Sequence, residues 1–283
     1  MTTHEDAGTD GTAPGASPRV QAVYGPEDLS SVPAFSGGFI NFGYWEGIPL
    51  DRPLTAEDRV RSERALYRRV LRTLPGGSRA VEVGCGLGLG GTLALEEFGF
   101  ESVTGMDIHP EQLERARRAN ARILARAPER LRFVPGAAER MPFPDGEFEA
   151  LYTVEAAQHF ADLAAFARES ARVLRPGGQL AVTSFFLPDG ADGAAEALAA
   201  RLDSFADGLD LAHPLGTLLA ALRDAGLTDV RAESIGAHVW PGFDHYLSGV
   251  DLPVTWPRNF LTAYHDGLLD YYVVTARHPG DGA

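Results

Sequence analysis

From residue 80 onward this chain repeats one pattern: a short apolar stretch, a turn rich in Gly, Pro or Asp, and a segment with apolar residues at helical spacing. Nothing else in the sequence limits the fold as tightly. Ala80-Val81-Glu82-Val83 reads as a buried strand, with a helix over 90–97, a strand at 102–106, a helix over 110–125 and strands at 131–134 and 148–154. A helix over 162–174, a strand at 179–185, helices over 193–207 and 215–226, and strands at 230–235 and 271–276 complete the series. Parallel strands need crossover connections, which the intervening helices supply, so the alternation predicts an α/β fold with a doubly wound sheet. Ligands bind such a sheet outside the carboxyl ends of its strands.

Residues 1–18 hold Gly, Thr, Ser, Pro and Asp with almost nothing to bury, and a loose tail is expected there. Residues 19–75 are expected to form a lid and a helix. Tyr24 to Trp45 is aromatic and glycine-rich without periodicity, ending in Phe39-Ile40-Asn41-Phe42-Gly43-Tyr44-Trp45. The helix, at about 55–73, opens at a capping Thr55 and repeats Val60, Leu66, Val70 and Leu71. The cofactor-binding core spans 76–187, and 188–283 completes the sheet with two substrate-side insertions, 188–212 and 237–269. The second carries Trp240, Phe243, Tyr246, Trp256, Phe260 and Tyr264.

Composition excludes several functions. The 283 residues include 39 acidic and 25 basic side chains, all of the latter Arg, for a net charge of −14 that would repel a polyanion, so no nucleic-acid partner is expected. The single cysteine, Cys85, permits neither an internal disulfide nor a cysteine metal site, and no other metal-ligand spacing is present. Apolar runs fall short of the roughly 20 residues that cross a bilayer, and the polar N-terminus does not resemble a signal peptide, so a cytoplasmic chain without a membrane partner is expected. An acidic surface and an aromatic lid are compatible with a homo-oligomer.

The motif richest in chemistry is Val81-Glu82-Val83-Gly84-Cys85-Gly86-Leu87-Gly88, a glycine loop at the end of the first strand. Gly86, Gly88 and Gly91 also satisfy GxGxxG, which leaves a nicotinamide oxidoreductase as a competing reading. Against it stands Glu82, an anion beside the loop that suits a cationic ligand better than a pyrophosphate. Asp107 closes the second strand 19 residues past Gly88, where a carboxylate can accept hydrogen bonds from ribose hydroxyls; the alternative is a cap for the helix starting at Pro110.

Together these segments resemble the class I S-adenosylmethionine-dependent methyltransferases, and within them the group that modifies bacterial secondary metabolites, glycoside sugars and sterols. The resemblance covers 79–187: VEVGCGLGLG, GMDIHPEQLERAR, GAAERMPFPDGEFEAL and Val173-Leu174-Arg175-Pro176-Gly177-Gly178 stand in the family's order. It implies a seven-stranded sheet whose last strand is antiparallel. It also implies that Glu82 and the loop Gly84, Gly86 and Gly88 hold the methionine part of S-adenosylmethionine and that Asp107 holds the ribose, with Tyr24, Ile108, Ala138, Glu139 and Glu155 also at the cofactor. The product is S-adenosylhomocysteine. The family's usual Asp for the adenine amino group falls at Ala137, so that contact is missing or supplied elsewhere, while the backbone of Ala138 and the side chain of Met141 remain expected at the adenine.

Methyl transfer from a sulfonium is an in-line displacement that depends on alignment in a dry site, and a base is needed only when the acceptor carries a proton. His159, in Glu155-Ala156-Ala157-Gln158-His159, is the candidate base on a small-molecule natural product; its alternative is a capping or solvated histidine. Sugar O-methyltransferases of the group have paired histidines and an orienting Asp where this chain has Gln158, His159 and Ser184. Phe39, Tyr44, Trp45, Gln158, Phe185, Trp240, Phe243 and Tyr246 are expected around the substrate. With His238, His245 and His265 nearby, the aromatics equally suit methylation of a terpenoid alkene through a carbocation, with or without cyclisation, or plain core packing. A catalytically silent cofactor binder is the remaining alternative.

Overall fold

The computed structural model describes residues 18–24, 32–251 and 255–280, without the Trp256 side chain; all of the expected tail except Pro18 lies outside the described residues. The elements follow the expected alternation, with departures at a few junctions. Helix α1 (Pro18–Tyr24), which the sequence did not announce, precedes α2 (Ala56–Leu71). Thr55 and Asp58 cap α2 reciprocally, Asp58 N–H donating to Thr55 Oγ1 at 3.2 Å and Thr55 N–H to Asp58 Oδ2 at 2.9 Å. Then come β1 (Arg79–Val83), α3 (Leu89–Glu97), β2 (Ser102–Asp107), α4 (Pro110–Ala119), α5 (Ala121–Arg126), β3 (Leu131–Pro135) and β4 (Phe148–Val154). After these stand α6 (Leu163–Val173), β5 (Leu174–Phe186), α7 (Ala194–Ala199), α8 (Asp203–Ala206), α9 (Leu215–Asp224), β6 (Thr228–Ser234), α10 (Trp240–Ser248), α11 (Asn259–His265) and β7 (Asp270–Arg277).

Two expected helices are each divided. The one over 110–125 breaks at Asn120, whose Nδ2 donates to Leu87 O and to Ala116 O, both at 2.8 Å, while its Oδ1 accepts from Thr92 Oγ1 at 2.5 Å. The break thus turns a side chain onto the glycine loop, and an Asn that bonds neighbouring backbone is a poor continuation of a helix. The helix expected over 193–207 is two short pieces, α7 and α8, after which the chain turns back toward β4.

The sheet has seven strands in the order β3-β2-β1-β4-β5-β7-β6, with β7 antiparallel to both β5 and β6. Between β1 and its two neighbours the chain order reverses, which opens a crevice at the carboxyl ends of these strands. One apolar layer, with Leu66, Val70, Leu93, Val103 and Leu131, covers one face, and another, with Phe148, Leu163, Phe166, Leu180 and Leu218, covers the other.

The N-terminal segment 32–48 is bound into the core rather than laid loosely over it. Arg59 of α2 is fully buried; its Nε donates to Ala34 O at 2.8 Å, its Nη2 to Asn41 O, and its Nη1 to Ser62 Oγ at 3.3 Å. The guanidinium pairs with Glu63 at 3.2 Å and lies 5.3–5.9 Å from the ring centres of Phe243, Trp45 and Tyr246. Burial pushes the Glu63 carboxyl up to about 8 against the pull of Arg59. A charge removed from water persists only when paired and hydrogen-bonded, and carbonyls of 32–48 supply part of that compensation. Replacing Arg59 by Met is therefore expected to destabilise the protein by about 3–5 kcal/mol, because buried carbonyls lose their donor and Glu63 its partner. Denaturant unfolding measures this, and a loss below about 1 kcal/mol would remove Arg59 as the anchor of the segment.

Candidate active site

A cavity lies at the carboxyl ends of β1 to β4. Its floor is the glycine loop. Gly84, Gly86 and Gly88 all have positive φ. At Gly88 any side chain would collide with the Phe133 ring, whereas a Cβ on Gly86 would meet nothing within 4 Å and project into the cavity, so glycine there leaves that space to a ligand. Gly84 N–H and Cys85 N–H both donate to Met106 O, at 2.8 and 3.0 Å, fastening the loop to β2.

Asp107 ends β2 on the cavity wall. Its Oδ2 accepts from Gly86 N–H at 2.9 Å and its Oδ1 from His109 N–H at 3.0 Å. Burial raises the carboxyl above its ordinary value while these N–H groups pull it down. The N-cap of α4 is His109, not Asp107, and it caps without a side-chain bond, so Asp107 braces the turn while remaining on the cavity wall. His109 also faces the cavity, and its buried Nε2 has no hydrogen-bond partner among the described residues. Ile108, Ala138 and Glu139 complete this end, with Phe160, which the sequence reading did not single out. Met141, expected against the adenine, is instead buried in the core behind the wall, where Phe143 and Phe148 also pack.

Glu82 departs from the role the resemblance implied. It is 1 % exposed and off the cavity wall; Oε1 accepts from Tyr67 OH at 2.9 Å and Oε2 from Tyr152 OH at 3.2 Å. With a further bond from Gly91 N–H it accepts three hydrogen bonds inside the protein, so it secures the loop from behind.

At the other end of the cavity Glu155, just past β4, has φ 49°, a strained conformation for a residue other than glycine. Its Oε1 accepts Phe42 N–H and Tyr271 OH, both at 2.5 Å, tying the N-terminal segment to β7. Burial pushes both Glu82 and Glu155 up to about 8.

His159 lies beside it on a helical turn, Ala157–His159. Nδ1 is 2.7 Å from Leu209 O and 3.5 Å from Asp210 Oδ1, and Nε2 is 3.0 Å from the hydroxyl of Tyr24. A carbonyl only accepts, so Nδ1 carries the proton and Nε2 is left as an acceptor. Burial and nearby carboxylates push the Tyr24 phenol far up, which keeps it neutral and able to donate to Nε2. Gln158 stands behind, Oε1 accepting from Ser184 Oγ at 2.6 Å and Nε2 donating to Glu155 O at 3.1 Å. Asp210, brought in by the turn after α8, was invisible in the sequence. No motif surrounds it, and its contact with His159 spans 51 residues of chain.

Of the residues expected around a substrate, Phe39 is on the cavity wall. Tyr44, Trp45, Phe185, Trp240, Phe243 and Tyr246 are not, and this corrects their expected placement. Phe42 fills the space between them, its ring centre 4.7–5.8 Å from those of Phe243, Phe260, Trp240 and Phe185. Trp240 stacks on Phe260 at 5.1 Å, Tyr246 OH donates to Pro33 O at 3.0 Å, and Trp45 packs on Gly242, where no side chain would fit. Tyr44 turns its hydroxyl to Glu46 at 2.9 Å. These rings gain more by burying one another than by facing an open cleft.

Comparison with known proteins agrees with the geometry. A methyltransferase domain matches residues 81–182. The 27-O-demethylrifamycin SV methyltransferase of Amycolatopsis mediterranei is 29% identical over 259 residues, 86% of this chain and 91% of that one. The erythromycin 3''-O-methyltransferase of Saccharopolyspora erythraea is 29% identical over 223 residues, 75% of this chain and 69% of that one. Other relatives match over the core, this chain spanning 34% and 52% of their lengths. Among solved structures, geranyl diphosphate C-methyltransferase from Streptomyces coelicolor superposes with a TM-score of 0.77 at 18% identity, covering 92% of this chain and 96% of that one. The fold is the Rossmann-like methyltransferase fold. Residues 81–182 thus carry a methyltransferase domain, whose cofactor is S-adenosylmethionine. Among the described residues no helix is long and apolar enough to cross a membrane.

The residues present fit that cofactor. The space over Gly86, the orphaned Nε2 of His109, and a wall that carries the carboxyls of Asp107, Glu139 and Glu155 and, among the described residues, no Arg all suit a cationic adenosyl ligand. Asp107→Ala is expected to weaken S-adenosylhomocysteine binding by about 1–3 kcal/mol, read by calorimetry; unchanged affinity would take Asp107 out of ribose binding. The raised carboxyls give a second expectation. Folded Glu155 holds its proton up to about pH 8, but an ordinary carboxyl only to 4.5, so its stabilisation is complete below 4.5 and lost as pH rises through about 8. The thermal midpoint should therefore fall between about pH 5 and about pH 9, less steeply in Glu155→Gln. An identical slope in the variant would mean that Glu155 is not held protonated.

Proposed function

We propose that this methyltransferase is an O-methyltransferase acting on a hydroxyl of a small-molecule natural product, with His159 as the general base. The observation that carries this is the fixed tautomer of His159, a residue of the cavity wall: Nδ1 is committed to Leu209 O beside Asp210, and Nε2 is left to accept, with Tyr24 OH at 3.0 Å and Gln158 Nε2 at 3.2 Å. The Tyr24 phenol, 3.0 Å from Nε2, occupies the place of an acceptor hydroxyl and would yield to one. S-Adenosylmethionine supplies an activated methyl group on a sulfonium. Asp107, the glycine loop and Ala138 hold the cofactor, while Val20, Phe39 and Ile40 roof the cavity and exclude water. His159 Nε2 takes the acceptor's proton as the new bond forms, and the nearby carboxylate of Asp210 stabilises the resulting imidazolium.

The names of the rifamycin and erythromycin relatives support a natural-product acceptor. The self-packed aromatic cluster disfavours a carbocation path, since few of its faces are turned to the cavity. On this reading 188–212 is the insertion that completes the acceptor side, through Leu209 and Asp210.

His159→Ala should lower kcat by about 10²–10⁴-fold and leave the Kd for S-adenosylhomocysteine unchanged. Asp210→Asn should lower kcat less, because Leu209 O still fixes the tautomer. The assay is transfer of labelled methyl from S-adenosylmethionine into an extract of the source organism, with the product's structure determined. Undiminished turnover in His159→Ala, or a product methylated on carbon, would overturn the proposal.

A further inference from the structure

Ala137 carries no polar side chain where the resemblance places the adenine amino group. Arg140 N–H donates to Ala137 O at 3.1 Å in a tight turn, and a Cβ on Gly136 would stand 2.6 Å from Met106 Sδ and 2.7 Å from Pro142 Cδ. Two residues further on, Glu139 reaches the cavity wall beside Gly136 and Ala138. Its Oε1 accepts Ala161 N–H at 3.0 Å. Three backbone N–H groups, of Ala161, Asp162 and Glu139 itself, hold the carboxyl, and burial raises it above its ordinary value. A carboxylate has about four acceptor sites, so capacity remains toward the cavity.

Of the other polar groups at this end, His109 Nε2 has no partner among the described residues, and the rest are already bonded. Asp107 is bonded to Gly86 and His109 and faces the ribose position, and Gln112 Oε1 accepts from Arg115 Nη1 at 3.1 Å. Ile108, Ala138 and Phe160 present apolar surface suited to a flat ring.

We propose that Glu139 reads the six-position of the cofactor's purine, its carboxylate accepting a hydrogen bond from the exocyclic amino group. An ionised carboxylate cannot donate, so a base with a carbonyl at that position sets acceptor against acceptor and is rejected. The residue is a specificity determinant for the cofactor, whatever the methyl acceptor.

The test is calorimetric binding of S-adenosylhomocysteine and of its deaminated counterpart, S-inosylhomocysteine, to the wild type, Glu139→Gln and Glu139→Ala. The wild type should prefer the adenosyl ligand by at least about tenfold. In Glu139→Gln, whose side chain keeps an oxygen for Ala161 N–H and adds an amide donor, the preference should shrink to within about threefold or reverse. Glu139→Ala should likewise lose it. A preference undiminished in both variants would overturn the proposal. So would an equal weakening of both ligands, which would mean that Glu139 acts only by holding Ala161 and Phe160 in place.

Discussion

One buried guanidinium holds the roof of the active site to its walls. Arg59 leaves α2, binds the carbonyls of Ala34 and Asn41, and is enclosed by rings from the N-terminal segment and α10. Through this anchor Phe39 and Ile40 are fixed over the cavity, Phe42 fills the centre of the aromatic cluster, and Phe42 N–H reaches Glu155. A buried cation of this kind tolerates few alternative arrangements, since each lost carbonyl is an unsatisfied charge-assisted bond. The segment that reads as a lid is therefore part of the core, and among the described residues only α1, with Val20 and Tyr24, lies across the cavity from outside it.

Acidic groups gather on the cavity wall and behind it, all of them raised by burial. Glu82 and Glu155 are buried, bonded to tyrosine hydroxyls and raised to about 8, so they brace the loop and the roof. Asp107 and Glu139 stand on the wall with Glu155; burial raises their carboxyls, and backbone N–H groups pull against that rise. A cavity with such carboxyls and, among the described residues, no Arg on its wall agrees with the net charge of −14 and with a cofactor that arrives as a cation and leaves as a neutral thioether.

Much of the fold is legible in the sequence, because apolar periodicity and turn residues act over a few residues at a time. The strands fall where the pattern puts them, and the glycine loop and Asp107 could be read because backbone geometry and ligand chemistry fix their spacing. What was misread, or not read at all, lies where distant groups decide. Asn120 breaks a helix to reach Leu87, across 33 residues of chain. Arg59 and Glu63 lie on the buried face of α2, where charge would be expected outside, because carbonyls and rings from elsewhere receive them. The aromatic residues of 237–269 and of the N-terminal segment pack on each other, since no local signal tells a ring that lines a cleft from one that fills a core.

The sequence by itself determined the doubly wound sheet, the crevice at its switch point, the adenosyl cofactor and the candidate base His159. The sheet and its crevice rest on short-range pattern, and the cofactor and the candidate base on motifs that resemble a known family. Tertiary structure alone decided that Asp210 and Leu209 fix the tautomer of His159, that Glu82 faces inward to Tyr67 and Tyr152, and that Glu139 takes the wall beside Ala137. Those outcomes depend on which groups converge after the sheet has closed, and hydrogen bonds between such groups leave no periodic trace in the chain.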